Sequence, residues 1–253
     1  MIISSVIIVP DRIDGFLNVL DELLKSTILP DFLYVSIIKY YPRLNKSIDI
    51  DDLFKIEEKL KNYPIENRIV FYDQDIGPCL KLLTPLKEHK FEKNDLILIF
   101  DDDNGLFNTA IECLINSCNK YGDNSVYGIM GIFEGKYIHG EYINEYHIAD
   151  LLGGYRGVLY PTKLLNYENL KEWTDMFIEV YNEHNMIAIH DDHIFSYYLK
   201  YNNIESRIVS VQPNSSLNYW PKNNSNGIFQ YDRIDESIEI LDEVLIRNLL
   251  FDR

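Results

Sequence analysis

Residues 94–105 read NDLILIFDDDNG. The apolar run from Leu96 to Phe100 is short and rich in β-formers, the pattern of an interior strand in a parallel sheet covered on both faces. Three consecutive aspartates, Asp101, Asp102 and Asp103, end it. Carboxylates crowded at the end of a buried strand repel one another and lose hydration, which is costly unless something positive binds there. A divalent cation, hard and oxygen-seeking, is the leading candidate.

On the N-terminal side of this stretch, strand and helix patterns alternate. IISSVIIV (2–9) predicts a first strand stopped at Pro10. Residues 14–26 place Phe16, Leu17, Leu20, Leu23 and Leu24 at helical spacing, with Asp14 as a candidate cap. FLYVSII (32–38) predicts a second strand, 49–62 a helix opening at Asp49, NRIVFYD (67–73) a third strand and 79–88 a short helix. The opening stretch supplies the fourth strand, and 106–119 a helix with Leu106, Ala110, Ile111, Leu114, Ile115 and Cys118 on one face.

Strands separated by helices mean βαβ units and a mostly parallel α/β sheet, read here as one domain over 1–253. Its first half, 1–125, carries the regular alternation, and 126–253 is expected to be a mixed region. Ligands of such sheets sit beyond the carboxyl ends of the strands. Pro10 to Arg12, the 73–81 loop and Asp101 to Asp103 all fall at such ends, so they are expected to meet in one cleft. The second half is less regular. VYGIMGIF (126–133) predicts a strand, 134–150 a loop or hairpin, 175–184 and 193–202 helices, ESRIVSV (205–211) a strand, 211–227 an Asn-, Ser- and Pro-rich loop, and 234–250 a last helix.

With 253 residues and 46% hydrophobic content, the chain is long enough for a sizeable core. A formal charge of −16, Asp+Glu 40 against Lys+Arg 24, argues against nucleic acid as a partner. It leaves room for one small anionic ligand held by a metal and a few local cations. Cys79, Cys113 and Cys118 form no CxxC pair and suggest a reducing compartment, with neither a disulfide framework nor a zinc site. The start MIISSVIIVP lacks a basic leader and no run is long enough to span a bilayer, so a cytoplasmic, soluble protein without a transmembrane segment is expected.

The DDD motif alone has other readings. A calcium-binding EF-hand loop starting at Asp101 would put Leu106 where glycine is required, and a strand precedes it instead of a helix. Aspartyl-phosphate phosphatases place such a motif after the first strand, whereas this strand is the fourth. A solvated turn capping the next helix is the simplest alternative.

The neighbouring motifs narrow the choice. DIGPCLKLLTPLK (75–87), DDD (101–103), GGYRGVLYP (153–161) and HDDHIFSYYL (190–199) occur in that order. This order resembles the nucleotide-sugar-dependent glycosyltransferases of the GT-A fold. More narrowly, it is similar to a family with a GPxxKLLPxL segment, a DDD metal motif, a GxxGVLYP segment and a later acidic helix start. VIIVPDRIDGFLNVLDELL matches that family's opening strand, Arg-containing loop and first helix. The resemblance covers roughly residues 3–210.

The resemblance implies a metal-dependent, inverting hexosyltransferase that moves a sugar from a nucleotide-diphosphate sugar to a glycan or other hydroxyl acceptor. Asp101 and Asp103 match the family's ligands of Mn²⁺ or Mg²⁺, and Asp102 a position facing ribose or metal. Pro10, Arg12, Asp73, Gly77 and Lys81 match positions around the nucleotide. Asp191 and Asp192 match the acidic pair that supplies the catalytic base, and which of them serves is open. Gly153, Gly154 and Tyr155 match the acceptor side, where Tyr155 or Trp220 offers a flat face to a pyranose ring, although Trp220 equally suits a core position. Asp191 and Asp192 also suit helix capping. Many such enzymes supply a late histidine to the metal, and this sequence has none after His193. His190, His193, an Asn or Gln, Asp232 or water is left to complete the shell. Two readings compete: a sugar-phosphate nucleotidyltransferase, which needs a Gly-rich basic loop that PDRIDG does not provide, and a degenerate transferase kept as a glycan- or nucleotide-binding module.

Overall fold

The run Leu96–Phe100 becomes the middle of a sheet, and its alternate side chains divide the core. Leu98 and Phe100 pack into one hydrophobic cluster, Ile97 and Ile99 into the other. Strands side by side with it follow the same rule: Val6 and Ile8 join the first cluster, Ile7 the second. A strand covered on both faces has no solvent side, which is why its sequence shows no polar alternation.

The computed structural model describes residues 1–10, 12–42, 45–183 and 189–211. The loop expected at 212–227, the helix expected at 234–250, Trp220 and Asp232 lie outside them. The first half runs β1 (Ile2–Ile8), α1 (Ile13–Leu23), β2 (Phe32–Ile38), β3 (Tyr40–Tyr41), β4 (Lys46–Ser47), α2 (Ile50–Lys61), β5 (Glu66–Tyr72), α3 (Leu80–Glu88), β6 (Leu96–Ile99) and α4 (Ala110–Tyr121). Then follow β7 (Ser125–Gly128), β8 (Met130–Phe133), β9 (Lys136–His139), β10 (Tyr146–Ile148), β11 (Leu151–Leu152), β12 (Val158–Pro161), α5 (Tyr167–Glu183), α6 (Asp191–Tyr201) and β13 (Glu205–Val209).

The main sheet has the order β10-β13-β7-β12-β6-β1-β2-β5. The pairs β1–β2, β1–β6, β2–β5 and β7–β13 are parallel, and β12 is antiparallel to both β6 and β7. Only β12 and the edge strand β10 therefore oppose the common direction. Helices α1, α2 and α4 supply Phe16, Leu20, Ile56, Leu60, Ile111 and Leu114 to one face. On the other face lie Leu80 and Leu83 of α3, Phe177 of α5, and Ile194 and Phe195 of α6. This is an α/β sheet flanked on both sides by helices, as the alternation of patterns predicts. Among the described residues no helix is long and apolar enough to cross a membrane.

Several boundaries differ from expectation. Residues 126–133 are two strands in two sheets, parted at Ile129, with β8 pairing with β9 and β11 in a small separate sheet. The glycines make this possible: a Cβ at Gly131 would lie 2.2 Å from the Leu151 carbonyl oxygen. Helix α5 begins well before 175, because Leu170, Trp173 and Thr174 continue the buried stripe of Phe177 upstream. Helix α4 begins only at Ala110, since Leu106 and Phe107 enter the core from a non-helical loop. Asp14 is not the cap of α1; that position belongs to Arg12, and Asp14 lies in the first turn, where a carboxylate still suits the helix dipole. Asp49 does cap α2, accepting from the Asp51 amide at 2.8 Å.

Candidate active site

The carboxyl ends of β1 and β6 are adjacent because these strands pair. Asp102 locks them together. Its Oδ2 accepts from the Val9 N–H at 2.9 Å and its Oδ1 meets Arg12 Nη1 at 3.3 Å. The same guanidinium lies 2.9 Å from Asp103 Oδ2, and Asn104 Nδ2 donates to Asp103 Oδ1 at 2.7 Å. Asp102 is almost fully buried, so its carboxyl serves the loop's shape. Asp101 and Asp103 flank it on the more open side.

Lys81 comes from the opposite wall. Gly77 has φ +60, a conformation that suits glycine, and its N–H donates to Asp75 Oδ1 at 2.9 Å. The turn Gly77–Cys79 then runs into α3 and aims Lys81 inward. Its Nζ donates to Asp101 Oδ1 at 2.5 Å and lies 2.8 Å from Asp191 Oδ2, with the side chain only 4% exposed. The contact with Asp191 is an ion pair that is not aligned as a hydrogen bond. One buried ammonium thus joins the loop after β6 to the first turn of α6.

The third wall is the turn after β11. Gly154 donates its N–H to Asp192 Oδ1 at 2.8 Å. A Cβ at Gly154 would stand 2.9 Å from that oxygen, 3.6 Å from Lys81 Nζ and 3.8 Å from Asp101 Oδ1. The backbone can come this close to three charged groups only without a side chain. Gly153 donates to the Met130 carbonyl at 2.9 Å, and the Tyr155 hydroxyl donates to Met130 Sδ. The antiparallel β12 positions this turn: Val158 pairs with Ile99, so the residues before β12 lie beside those after β6.

The charges here are unbalanced: Asp101, Asp102, Asp103 and Asp191 pair with two cations, Arg12 and Lys81, and Asp192 adds a fifth carboxylate at the Gly154 N–H. Burial and then neighbouring carboxylates dominate the shifts. Asp102 is pushed up to about 7 by burial, against the opposing pull of Arg12. Burial also raises Asp103 and Asp191, and burial with the charge of Asp191 lifts Asp192 well above the usual carboxylate range. Burial would lower the Lys81 ammonium, but Asp101, Asp191 and Asp192 outweigh it and hold it well above its ordinary value.

Among the described residues, no group of three or more His, Cys, Asp or Glu side chains is gathered to hold a metal ion. The excess negative charge still suits a hard cation. Asp101 and Asp103 offer it two carboxylates at the open side of the loop, and Mg²⁺-like ions commonly take one or two protein carboxylates with phosphate oxygens and water. His190 and His193 stack near each other, with centroids 5.4 Å apart. His193 is buried, its Nδ1 has no hydrogen-bond partner, and burial lowers it to about 4.

Nearly all the sequence-derived residues meet: Pro10 and Arg12 after β1, Gly77 and Lys81, Asp101 to Asp103, Gly153 to Tyr155, Asp191 and Asp192. Asp73 stands apart at the end of the edge strand β5, with its side chain 87% exposed and paired to Lys39 at 2.7 Å. Two further residues belong to the site. Arg156 is buried, donates to the Gly105 carbonyl at 3.3 Å, and lies 5.3 Å from the rings of both Phe107 and Tyr155. Asn104 buttresses Asp103. The signal for Arg156 was a lone arginine between glycine turns, ahead of an apolar strand.

No protein-family model matches the chain, and no curated protein matches it. Solved structures do. The structure of S. aureus TarS is 16% identical with a TM-score of 0.51, covering 99% of this chain and 44% of that one. The mannosyltransferase PcManGT from Pyrobaculum calidifontis, in complex with GDP-Man and Mn²⁺, is 14% identical with a TM-score of 0.45, covering 66% of this chain and 46% of that one. The 2-C-methyl-D-erythritol 4-phosphate cytidylyltransferase of Francisella tularensis is 11% identical with a TM-score of 0.44, covering 87% and 95%. The chain spans less than half the length of the two transferase structures. Its fold is the mostly parallel, helix-flanked sheet of the GT-A class.

Proposed function

We propose that the chain is an inverting glycosyltransferase that moves a sugar from a nucleoside-diphosphate sugar to a hydroxyl acceptor. The observation that carries this reading is the Lys81 bridge. It brings the aspartates after β6 and the acidic start of α6 to one point, beside the backbone of Gly154. A donor site and a proton acceptor are thereby neighbours.

Arg12 and Lys81 are the cations placed to face a diphosphate. Asp101 and Asp103 would hold Mn²⁺ or Mg²⁺, which, when bound, offsets diphosphate charge and stabilises the leaving group. Asp192 is the better candidate for the base. Asp191 is buried and committed to Lys81, whereas Asp192 presents one oxygen at the glycine turn and, its carboxyl raised by burial and by Asp191, would serve as base once a cation at Asp101 and Asp103 offsets the neighbouring charge. In this scheme Asp192 takes the proton of the acceptor hydroxyl while the acceptor's oxygen bonds to the anomeric carbon, and the bond from that carbon to the departing nucleoside diphosphate breaks on the other face. Asp191 holds Lys81 in place, Asp102 and Asn104 hold the loop, and Gly153, Gly154 and Tyr155 line the acceptor side.

The test is a screen of UDP-, GDP-, and TDP-sugars for hydrolysis and transfer, with Mn²⁺ and after chelation. Asp192→Asn is expected to lower transfer by about 10²–10⁴-fold, the usual contribution of a positioned base, while UDP or GDP binding by titration persists. Metal-independent, weak binding of every nucleoside diphosphate would sink the reading. Pyrophosphate release from a nucleoside triphosphate and a sugar phosphate would instead favour the nucleotidyltransferase.

A further inference from the structure

The small sheet β11-β8-β9 has two unlike faces. Its register pairs Leu151 with Ile132 and Ile132 with Tyr137, and pairs Met130 with His139. Directly opposed residues of antiparallel strands share a face, so Leu151, Met130, Ile132, Tyr137 and His139 lie on one side. The other side carries Leu152, Ile138 and Gly131, and it is turned to the core: Leu152 and Ile138 join a hydrophobic cluster, and a Cβ at Gly131 would meet Ile208 of β13 at 3.1 Å. The first face therefore points away from the main sheet. It is apolar yet open, with Tyr137 59% exposed and Ile132 and Leu151 half-buried. Tyr137 is a large exposed aromatic on a face it shares with Ile132, Leu151, Met130 and His139, and its ring is open to a ligand from solvent.

This face is continuous with the catalytic cleft. Tyr155 hydrogen-bonds to Met130 on it, and the residue before Tyr155 holds Asp192. A Cβ at Gly153 would lie 3.4 Å from Tyr155 Cε1, so the Tyr155 ring spans from the Gly153–Gly154 turn to Met130 on this face. Neighbouring strands lie about 4.8 Å apart, which puts Tyr137 about 10 Å across the sheet from Leu151. Leu151 lies three residues before Gly154, so Tyr137 is two strands across from the strand that leads into the turn at Asp192.

We propose that this face is a second acceptor subsite: Tyr137, flanked by Ile132, takes a further pyranose ring of an oligosaccharide acceptor whose terminal hydroxyl lies at Asp192. The proposal rests on the glycosyltransferase reading for the second half of that statement only. Its chemistry is that of sugar recognition generally, an aromatic plane against the apolar face of a ring with the ring hydroxyls left in water. The acceptor class it selects is an oligosaccharide, because a monosaccharide at Asp192 would leave Tyr137 uncovered.

The experiment has two arms. In the first, the intact protein is applied to an array of mono- to tetrasaccharides in the presence of UDP and Mn²⁺, beside Tyr137→Ala and Tyr137→Phe. Wild type and Tyr137→Phe are expected to retain di- and trisaccharides, and Tyr137→Ala to lose them by about tenfold. In the second, KM for a monosaccharide acceptor divided by KM for its disaccharide is measured in the same proteins. That ratio is expected to fall about tenfold in Tyr137→Ala and to return in Tyr137→Phe. Array binding that depends on Tyr137 in a protein with no transferase activity would keep the subsite and overturn the catalytic reading. Transfer with an unchanged ratio would do the reverse. No oligosaccharide binding, or a dimer on size exclusion that Tyr137→Ala alone dissolves, overturns the subsite, the latter by assigning the face to a second copy of the chain.

Discussion

At the scale of single residues the site is a matter of close approach. Gly154 has a backbone that alanine tolerates, since its φ is not in the left-handed region, but the added methyl would stand 2.9 Å from Asp192 Oδ1. Gly154→Ala is therefore expected to fold and to lose kcat by one to two orders of magnitude, with the donor KM nearly unmoved; steady-state kinetics with donor varied reads both. His193 carries a different prediction. Buried and without a partner at Nδ1, it titrates at about 4 in the folded chain and near 6.5 when unfolded. The unfolded state takes up the proton first, so its contribution to stability is whole above pH 6.5 and falls as pH drops toward 4, at about 1.4 kcal/mol per unit. Between pH 7 and 5, wild type should lose about 2 kcal/mol more than His193→Gln in chemical denaturation. Much of this chemistry is legible in the sequence. The DDD motif is legible because carboxylates ending a buried strand stand out, whereas Lys81 and the acidic pair are picked out only by their resemblance to an ordered set of family motifs. The division of labour between Asp191 and Asp192, and the structural role of Asp102, are not. They depend on which oxygen points at Lys81, Val9 or Gly154, and one residue's difference along a helix start decides it.

At the scale of elements, the alternation of patterns suffices for the first half. Strands β1, β2, β5 and β6 fall within a residue or two of expectation because each is a short β-rich run set between helical patterns and polar breaks. The second half is harder for a physical reason. Residues 126–133 form a continuous apolar run, yet the chain changes sheets at Ile129, and nothing in its hydrophobicity marks the change; two glycines do. Gly131 is the more demanding, with the Leu151 carbonyl 2.2 Å from where a Cβ would be. Gly131→Ala is expected to force β8 and β11 apart, to lower the unfolding midpoint by several degrees, and to weaken activity through the displaced Gly154 turn. Thermal unfolding followed by circular dichroism, beside a Lys136→Ala control at an exposed position of β9, would show it.

At the scale of the whole molecule, ligand binding should register as stability. The five carboxylates and two cations come from the loops after β1 and β6 and from α3 and α6, so a donor and its metal are expected to clamp the sheet's centre to two helices. Binding at about 100 times Kd adds about 2.7 kcal/mol to the folded state. A nucleoside diphosphate with Mn²⁺ should therefore raise the melting temperature by several degrees, more than the sum of the two alone, and chelation should remove the gain. A shift from the nucleotide that is indifferent to chelation would mean that Arg12 and Lys81 suffice without a metal.

The reversed strand β12 carries one more consequence, which concerns synthesis. It sits between β6 and β7, so β6 is an open edge until residue 161 has left the ribosome, and an open apolar edge is a template for aggregation. Residues 1–125 are thus expected not to fold as an independent unit, whatever their regular βαβ pattern suggests. A nascent chain of that length should depend on chaperones, and Lys81 waits with its partner Asp101 for a second carboxylate that arrives 110 residues after it in the chain.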